Sequence, residues 1–144
     1  MITVTSAELC FVNFSHWKPT LALPVWLMCA HSQFKEDSYK EISRPMFFQS
    51  GTYHRKLWEW AYIIRVLETH GDVKGKRGLG FGCGKEPLVS YFANLGARMT
   101  ATDMDAILAS EAGWNQSNQY SESLNDLYFP NMCDEAIFTA NVAF

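Results

Sequence analysis

Positive charge runs out early in this sequence. All 12 lysines and arginines lie at or before Arg98, while Asp103, Asp105, Glu111, Glu122, Asp126, Asp134 and Glu135 follow with no base among them. The net charge is −3. A chain that binds by neutralising phosphates is normally basic, so nucleic acid is not the expected partner. Long apolar runs are also missing. The longest, Leu21 to Ala30, contains Pro24, and ten helical residues span only about 15 Å, half a bilayer core. No membrane span is expected. No basic stretch followed by an apolar one opens the chain at Met1, so no secretory signal is read there. Cys10, Cys29, Cys83 and Cys133 form no C-x-x-C pair. Disulfide frameworks and zinc sites want closer or more regular spacing, so the expectation is reduced thiols in a cytoplasmic protein with no metal. Repeats and low-complexity stretches are absent too.

What is present is a globular composition. Of 144 residues, 48% are hydrophobic and 15% aromatic. That is one domain with enough apolar side chains for a core. Residues 1–50 read as an N-terminal extension of uncertain structure, punctuated by Pro19, Pro24 and Pro45. Leu9 to Phe14 is apolar enough for a strand. From residue 51 the pattern sharpens. Leu57, Trp60, Ala61, Ile64 and Leu67 recur at three and four residues and predict a helix from Thr52 to Thr69, stopped near Gly71. Arg77 to Phe81 reads as a buried strand and Gly82 to Lys85 as the turn after it. A helix over Glu86 to Leu95 follows, with Pro87 in its first turn and Leu88, Tyr91, Phe92 and Leu95 on its apolar face. Gly96 stops it. Ala97 to Asp103 reads as a second strand, with Met99 and Ala101 on one face. Asp105 to Ala112 and Ser121 to Leu127 read as helices, and Ile137 to Phe144 as a third strand. Strands separated by helix-length segments imply right-handed crossovers and a parallel sheet. The expected class is therefore α/β, a three-layer Rossmann-like fold.

The informative string runs from Arg77 to Leu88. Gly80, Gly82 and Gly84 alternate where a strand turns into a helix. Glycine there permits a sharp turn and lets a ligand approach the backbone without meeting a Cβ. Asp103 closes the next strand, where a carboxylate can accept hydrogen bonds from ribose hydroxyls. Together the two features suggest a ligand bearing a nucleoside. Separately, the turn could serve only tight packing and Asp103 could only cap the following helix. The dinucleotide fingerprint G-x-G-x-x-G needs a third glycine where Lys85 or Pro87 stands. The phosphate loop G-x-x-x-x-G-K-[ST] needs glycine at Leu79 and a hydroxyl at Glu86. Glu86 would also repel a phosphate at the turn.

On these residues the chain resembles the class I S-adenosylmethionine-dependent methyltransferases. The Gly80-Phe-Gly-Cys-Gly84 loop and the Ala-Thr-Asp103 strand end are similar to that family's first two motifs. The resemblance covers about residues 52–144. It implies S-adenosylmethionine as cofactor, held by Gly80, Phe81, Gly82, Cys83, Gly84, Asp103 and Met104. Gly82 and Gly84 would pack on its methionine part, Asp103 would bind the ribose, and the methyl group would pass to an acceptor. A small molecule or glycan suits as acceptor better than nucleic acid. Two positions depart from the pattern: the family's acid before the loop would align with Gly80, and its last loop glycine with Glu86. Arg55, Lys56, Trp58 and Glu86 are candidates for the cofactor's amino end.

The family's sheet has seven strands ordered 3-2-1-4-5-7-6, of which this sequence offers three, in the order 3-2-1. The expectation is thus the N-terminal, cofactor-binding half of a methyltransferase domain, truncated before the segments that handle the acceptor. An open sheet edge would favour oligomers unless residues 1–50 cover it. Two other functions stay open: a nicotinamide-dependent oxidoreductase with a degenerate loop, and a non-enzymatic partial module that binds a partner chain. Trp58, Trp60 and Tyr62 either line a pocket or are core. His54 and His70 show no catalytic partner. Trp114, Asn115, Gln116 and Gln119 could meet an adenine or simply end a polar helix. Cys83 has no evident base and reads as a small loop residue.

Overall fold

The computed structural model describes residues 20–24, 28–46, 53–117 and 119–144. The order of elements is a 3-10 turn His31–Lys35, α1 Asp37–Ser43, α2 Arg55–Thr69, β1 Arg77–Gly80, α3 Leu88–Asn94, β2 Arg98–Ala101 and α4 Ala106–Glu111. Two 3-10 turns follow, Trp114–Ser117 and Leu124–Leu127, and then α5 Glu135–Asn141 and β3 Val142–Ala143. The candidate strand at Leu9 to Phe14 lies outside the described residues.

The three strands form one parallel sheet in the order β1-β2-β3. The class is α/β, as the alternation of strands and helices predicts. Pairing sets Gly78 beside Met99 and Gly80 beside Ala101, and Met99 beside Val142. Paired residues share a face, because side chains alternate along each strand. Gly78, Gly80, Met99, Ala101 and Val142 thus turn toward one side, where α3 packs against β2 and α5. Leu79 and Thr100 turn the other way, and Leu79 is 58% exposed. Among the described residues the sheet therefore has two layers rather than the expected three.

Side chains pack closely on the two glycines of β1. A Cβ on Gly78 would meet Met99 Sδ at 2.5 Å, and one on Gly80 would meet Cys83 Sγ at 2.5 Å. The space a side chain would take there holds the thiol that folds back from the loop.

Two apolar clusters hold the chain together. One joins Leu21, Phe34, Tyr39, Ile42 and Met46 to Trp58, Ala61 and Ile64 of α2 and to Phe92 of α3. The described part of the N-terminal extension is thereby packed on α2. The other cluster, Val89, Ala93, Ala101, Leu127, Cys133, Phe138 and Val142, sits between α3, α5 and the sheet. The predicted stripe of α2 holds at Leu57, Ala61 and Ile64, while α3 is turned by about one position from the periodicity reading. In α2 the buried residues are Leu57, Trp58, Ala61 and Ile64, whereas Leu67 is 39% exposed. In α3 they are Val89, Ser90, Phe92 and Ala93. Small Val89 and Ala93 join the cluster beneath the sheet, while Leu88 and Tyr91 pack on the α2 cluster.

The third strand is corrected more sharply. Glu135–Asn141, expected to be mostly strand, is helix, and only Val142–Ala143 pairs in the sheet. The acids Asp134 and Glu135 stand at the start of that helix, where negative charge favours its dipole. The expected helix at Ser121 to Leu127 is only a 3-10 turn, closed by reciprocal bonds between Ser123 and Asp126.

Ser90 fixes this turn to the core. Its buried hydroxyl donates to the carbonyl of Leu127 at 2.8 Å and accepts from the Phe129 amide at 2.9 Å. Ser90→Ala leaves both backbone groups without their partner. It is expected to lower stability by about 2 kcal/mol in urea unfolding, since each stranded buried group costs about 1–3 kcal/mol.

Candidate functional site

Three loops converge at the carboxyl ends of β1 and β2. The turn after β1 runs from Phe81 to Pro87. Gly82 and Gly84 adopt positive φ values of 57° and 53°. The Cys83 amide donates to the Thr102 carbonyl at 3.1 Å, and the Thr102 amide donates to the Gly80 carbonyl at 2.9 Å, so the turn continues the β1–β2 ladder beyond the strands.

Asp103 is the hub of the site. Its Oδ2 accepts from the amides of Gly84 and Ser121, each at 3.0 Å, and its Oδ1 accepts from the Met104 amide at 2.8 Å. Residues 119–121 thus lie across the glycine turn as a strap. The Lys85 amide donates to the Gln119 carbonyl at 3.0 Å, and Ser121 Oγ donates to the Gly84 carbonyl. The capping alternative for Asp103 is resolved by its neighbour. Asp105 caps α4, accepting from the Ile107 amide at 2.9 Å.

Beside this hub lies a cleft of about 640 Å³, within the range of nucleotide-sized ligand sites. Gly82, Cys83, Gly84, Asp103 and Met104 line it, so five of the seven residues singled out in the sequence meet there. Gly80 and Phe81 do not. They line an adjoining apolar groove of about 400 Å³ beside β1, which shares Cys83 and Glu86 with the cleft, and Phe81 is 80% exposed. The N-terminal end of α2 forms a further wall. His54, whose Nδ1 accepts from the Lys56 amide at 3.2 Å, lines the cleft together with Arg55, Lys56, Leu57 and Trp60. Trp58 does not reach it. Its indole is buried and stacked on Tyr62, with ring centres 5.1 Å apart. The aromatic run of α2 thus divides between core and cleft.

Glu86, Lys85, Trp114, Gln119 and Tyr120 complete the lining, and Gln116 is not part of it. The strap residue Tyr120 escaped the sequence reading, because nothing local in a polar stretch reveals that it crosses a distant turn. Burial pushes the Cys83 thiol up from its ordinary range, which keeps it protonated and suits a packing role rather than a nucleophilic one. Cys29, Cys83 and Cys133 are free thiols. Among the described residues no three side chains gather to hold a metal ion, and no helix is long and apolar enough to cross a membrane.

No known protein family, curated protein or solved structure matches the chain.

Proposed function

We propose that the cleft binds S-adenosylmethionine and that the chain is the cofactor-binding part of a methyltransferase. The supporting observation is that the glycine turn and Asp103 line one cleft of nucleotide-ligand size. The residues fit such a ligand. A Cβ built on Gly82 meets nothing within 4 Å, so the backbone there is open to close approach. A carboxylate has about four acceptor positions. Three amides occupy Asp103, which leaves room for one ribose hydroxyl. Lys85 and Pro87 stand where the dinucleotide fingerprint needs its third glycine, which counts against dinucleotides. In the completed reaction the acceptor's electron pair would take the methyl group, leaving S-adenosylhomocysteine.

Calorimetric titration of the chain with S-adenosylhomocysteine, beside NADH, tests this reading. Binding of the first and not of the second is expected. A folded, monodisperse chain that binds neither would overturn the proposal, and binding of NADH alone would favour the oxidoreductase.

A further inference from the structure

The apolar groove beside β1 carries unmatched positive charge at one end. Met99 and Cys83 reach over Gly78 and Gly80 to form its floor, and Ile63 and Leu67 of α2 and Phe92 of α3 form a wall. Its volume of about 400 Å³ lies within the range of small-ligand sites. Ile63 and Leu67 are each 39% exposed, so this wall meets water. Lys76 and Arg77 line the groove where β1 starts, and Glu86 lines it beyond the turn that ends β1. The strand between them spans about 13 Å. The charges at the two ends are not equivalent. Glu86 is matched by Lys56 at 3.2 Å. Among the described residues neither Lys76 nor Arg77 has a carboxylate within ion-pair reach. Backbone groups are open there too. The carbonyls of Lys76 and Gly80 accept from the amides of Arg98 and Thr102. Alternation turns the N–H and C=O of Arg77 and Leu79 to the free edge of the sheet, where they have no partner among the described residues.

An apolar groove with two free cations at one end fits one ligand chemistry. A neutral apolar molecule leaves both charges unmatched, and a small hydrophilic anion leaves the apolar walls wet. We propose that the groove binds a small apolar carboxylate, its chain along the groove and its head at Lys76 and Arg77. The Arg77 guanidinium can hold a carboxylate through two parallel N–H bonds, and the Lys76 ammonium adds a point charge. The outward amides of Arg77 and Leu79 supply neutral donors at the same end. This site does not rest on the S-adenosyl reading. Its charged end lies at the start of β1, whereas Asp103 and the glycine turn stand at the carboxyl ends of the strands.

Calorimetric titration with octanoate, 1-octanol and acetate at low ionic strength tests the site. One octanoate per chain is expected, bound about tenfold more tightly than 1-octanol, with no measurable binding of acetate. Lys76→Met and Arg77→Met should each weaken octanoate about threefold, in keeping with an exposed ion pair, and leave 1-octanol unchanged. Leu67→Glu, on the wall, should weaken both probes. All three positions are exposed, so near-ultraviolet circular dichroism should not change. Equal affinity for octanoate and 1-octanol would overturn the proposal, as would octanoate binding that neither charge variant weakens. A folded monomer that binds neither probe would overturn it as well. So would a stable dimer that takes up no octanoate, which would mark the groove as an interface between copies of this chain.

Discussion

Gly84→Ala is expected to destabilise the chain by about 3–4 kcal/mol, and Gly82→Ala by only about 1 kcal/mol. The two positions have nearly the same backbone conformation, with φ of 53° and 57°. Each alanine therefore bears the left-handed penalty of about 1–2 kcal/mol. They differ in what surrounds the new methyl group. At Gly82 it meets nothing within 4 Å, whereas at Gly84 it overlaps the backbone carbonyl oxygen of Gln119. That oxygen cannot swing aside as a flexible side chain could. The strap must lift, and the bonds Lys85 to Gln119, Ser121 to Gly84 and Ser121 to Asp103 are strained or lost with it. At about 1 kcal/mol net per hydrogen bond, two or three losses supply the difference. Urea unfolding of both variants measures it. Ligand affinity should follow the opposite order relative to stability. Gly82→Ala obstructs the cleft in a chain that stays folded, so it should weaken S-adenosylhomocysteine binding at little cost in stability. Equal destabilisation by the two alanines would show that the strap does not rest on the turn.

Asp103→Ala should be the other severe change, at about 2–4 kcal/mol. The carboxylate gathers three amides from three segments, the glycine turn, the start of the loop after β2, and the strap. Hydrogen bonds to a charged group are worth about 1.5–3 kcal/mol each, and water recovers part of that at a half-buried position. Loss of ligand binding in this variant would therefore mix a direct contact with a dismantled site. A double-mutant cycle separates the two. Gly84→Ala and Asp103→Ala disturb the same strap, so their combined cost should fall short of the sum by about 1 kcal/mol or more. Full additivity, read from chemical denaturation of all four chains, would contradict a shared clamp.

The Asp103 result also shows where sequence reasoning reached and where it stopped. Strands β1 and β2 were legible because glycines and periodicity bracket them, and the parallel order followed from helix-length spacing, but β1 is not buried as expected, with Leu79 and Phe81 exposed. Five cleft residues were legible because they adjoin those strand ends. The helix Glu135–Asn141 was misread because Ile137, Phe138 and Ala140 carry apolar character without a strong period, and only Phe138 of that helix is buried. The paired acids at 134 and 135 were the available signal. The burial of Trp58 in α2 and the turn of α3 were set by packing partners. Trp58 is drawn into the core by Phe34, Tyr39 and Ile42, which come from the segment hardest to read. The strap was hidden for a different reason. Its position depends on Asp103 accepting amides that lie 18 and 19 residues away in opposite directions.

The sheet's pairing also orders events in time. The crossover from Gly78 to Met99 is about half as long as that from Met99 to Val142. Closing the longer one costs about 0.6 kcal/mol more in chain entropy, and only two residues of β3 reward it. The β1–α3–β2 unit should therefore assemble first, with α5 and β3 docking last and detaching first. Every described residue lining the cleft lies between His54 and Tyr120. Transient release of the C-terminal pair would thus leave the cleft's walls in place, so occupancy of the cleft and breathing at the far edge of the sheet are kinetically separable.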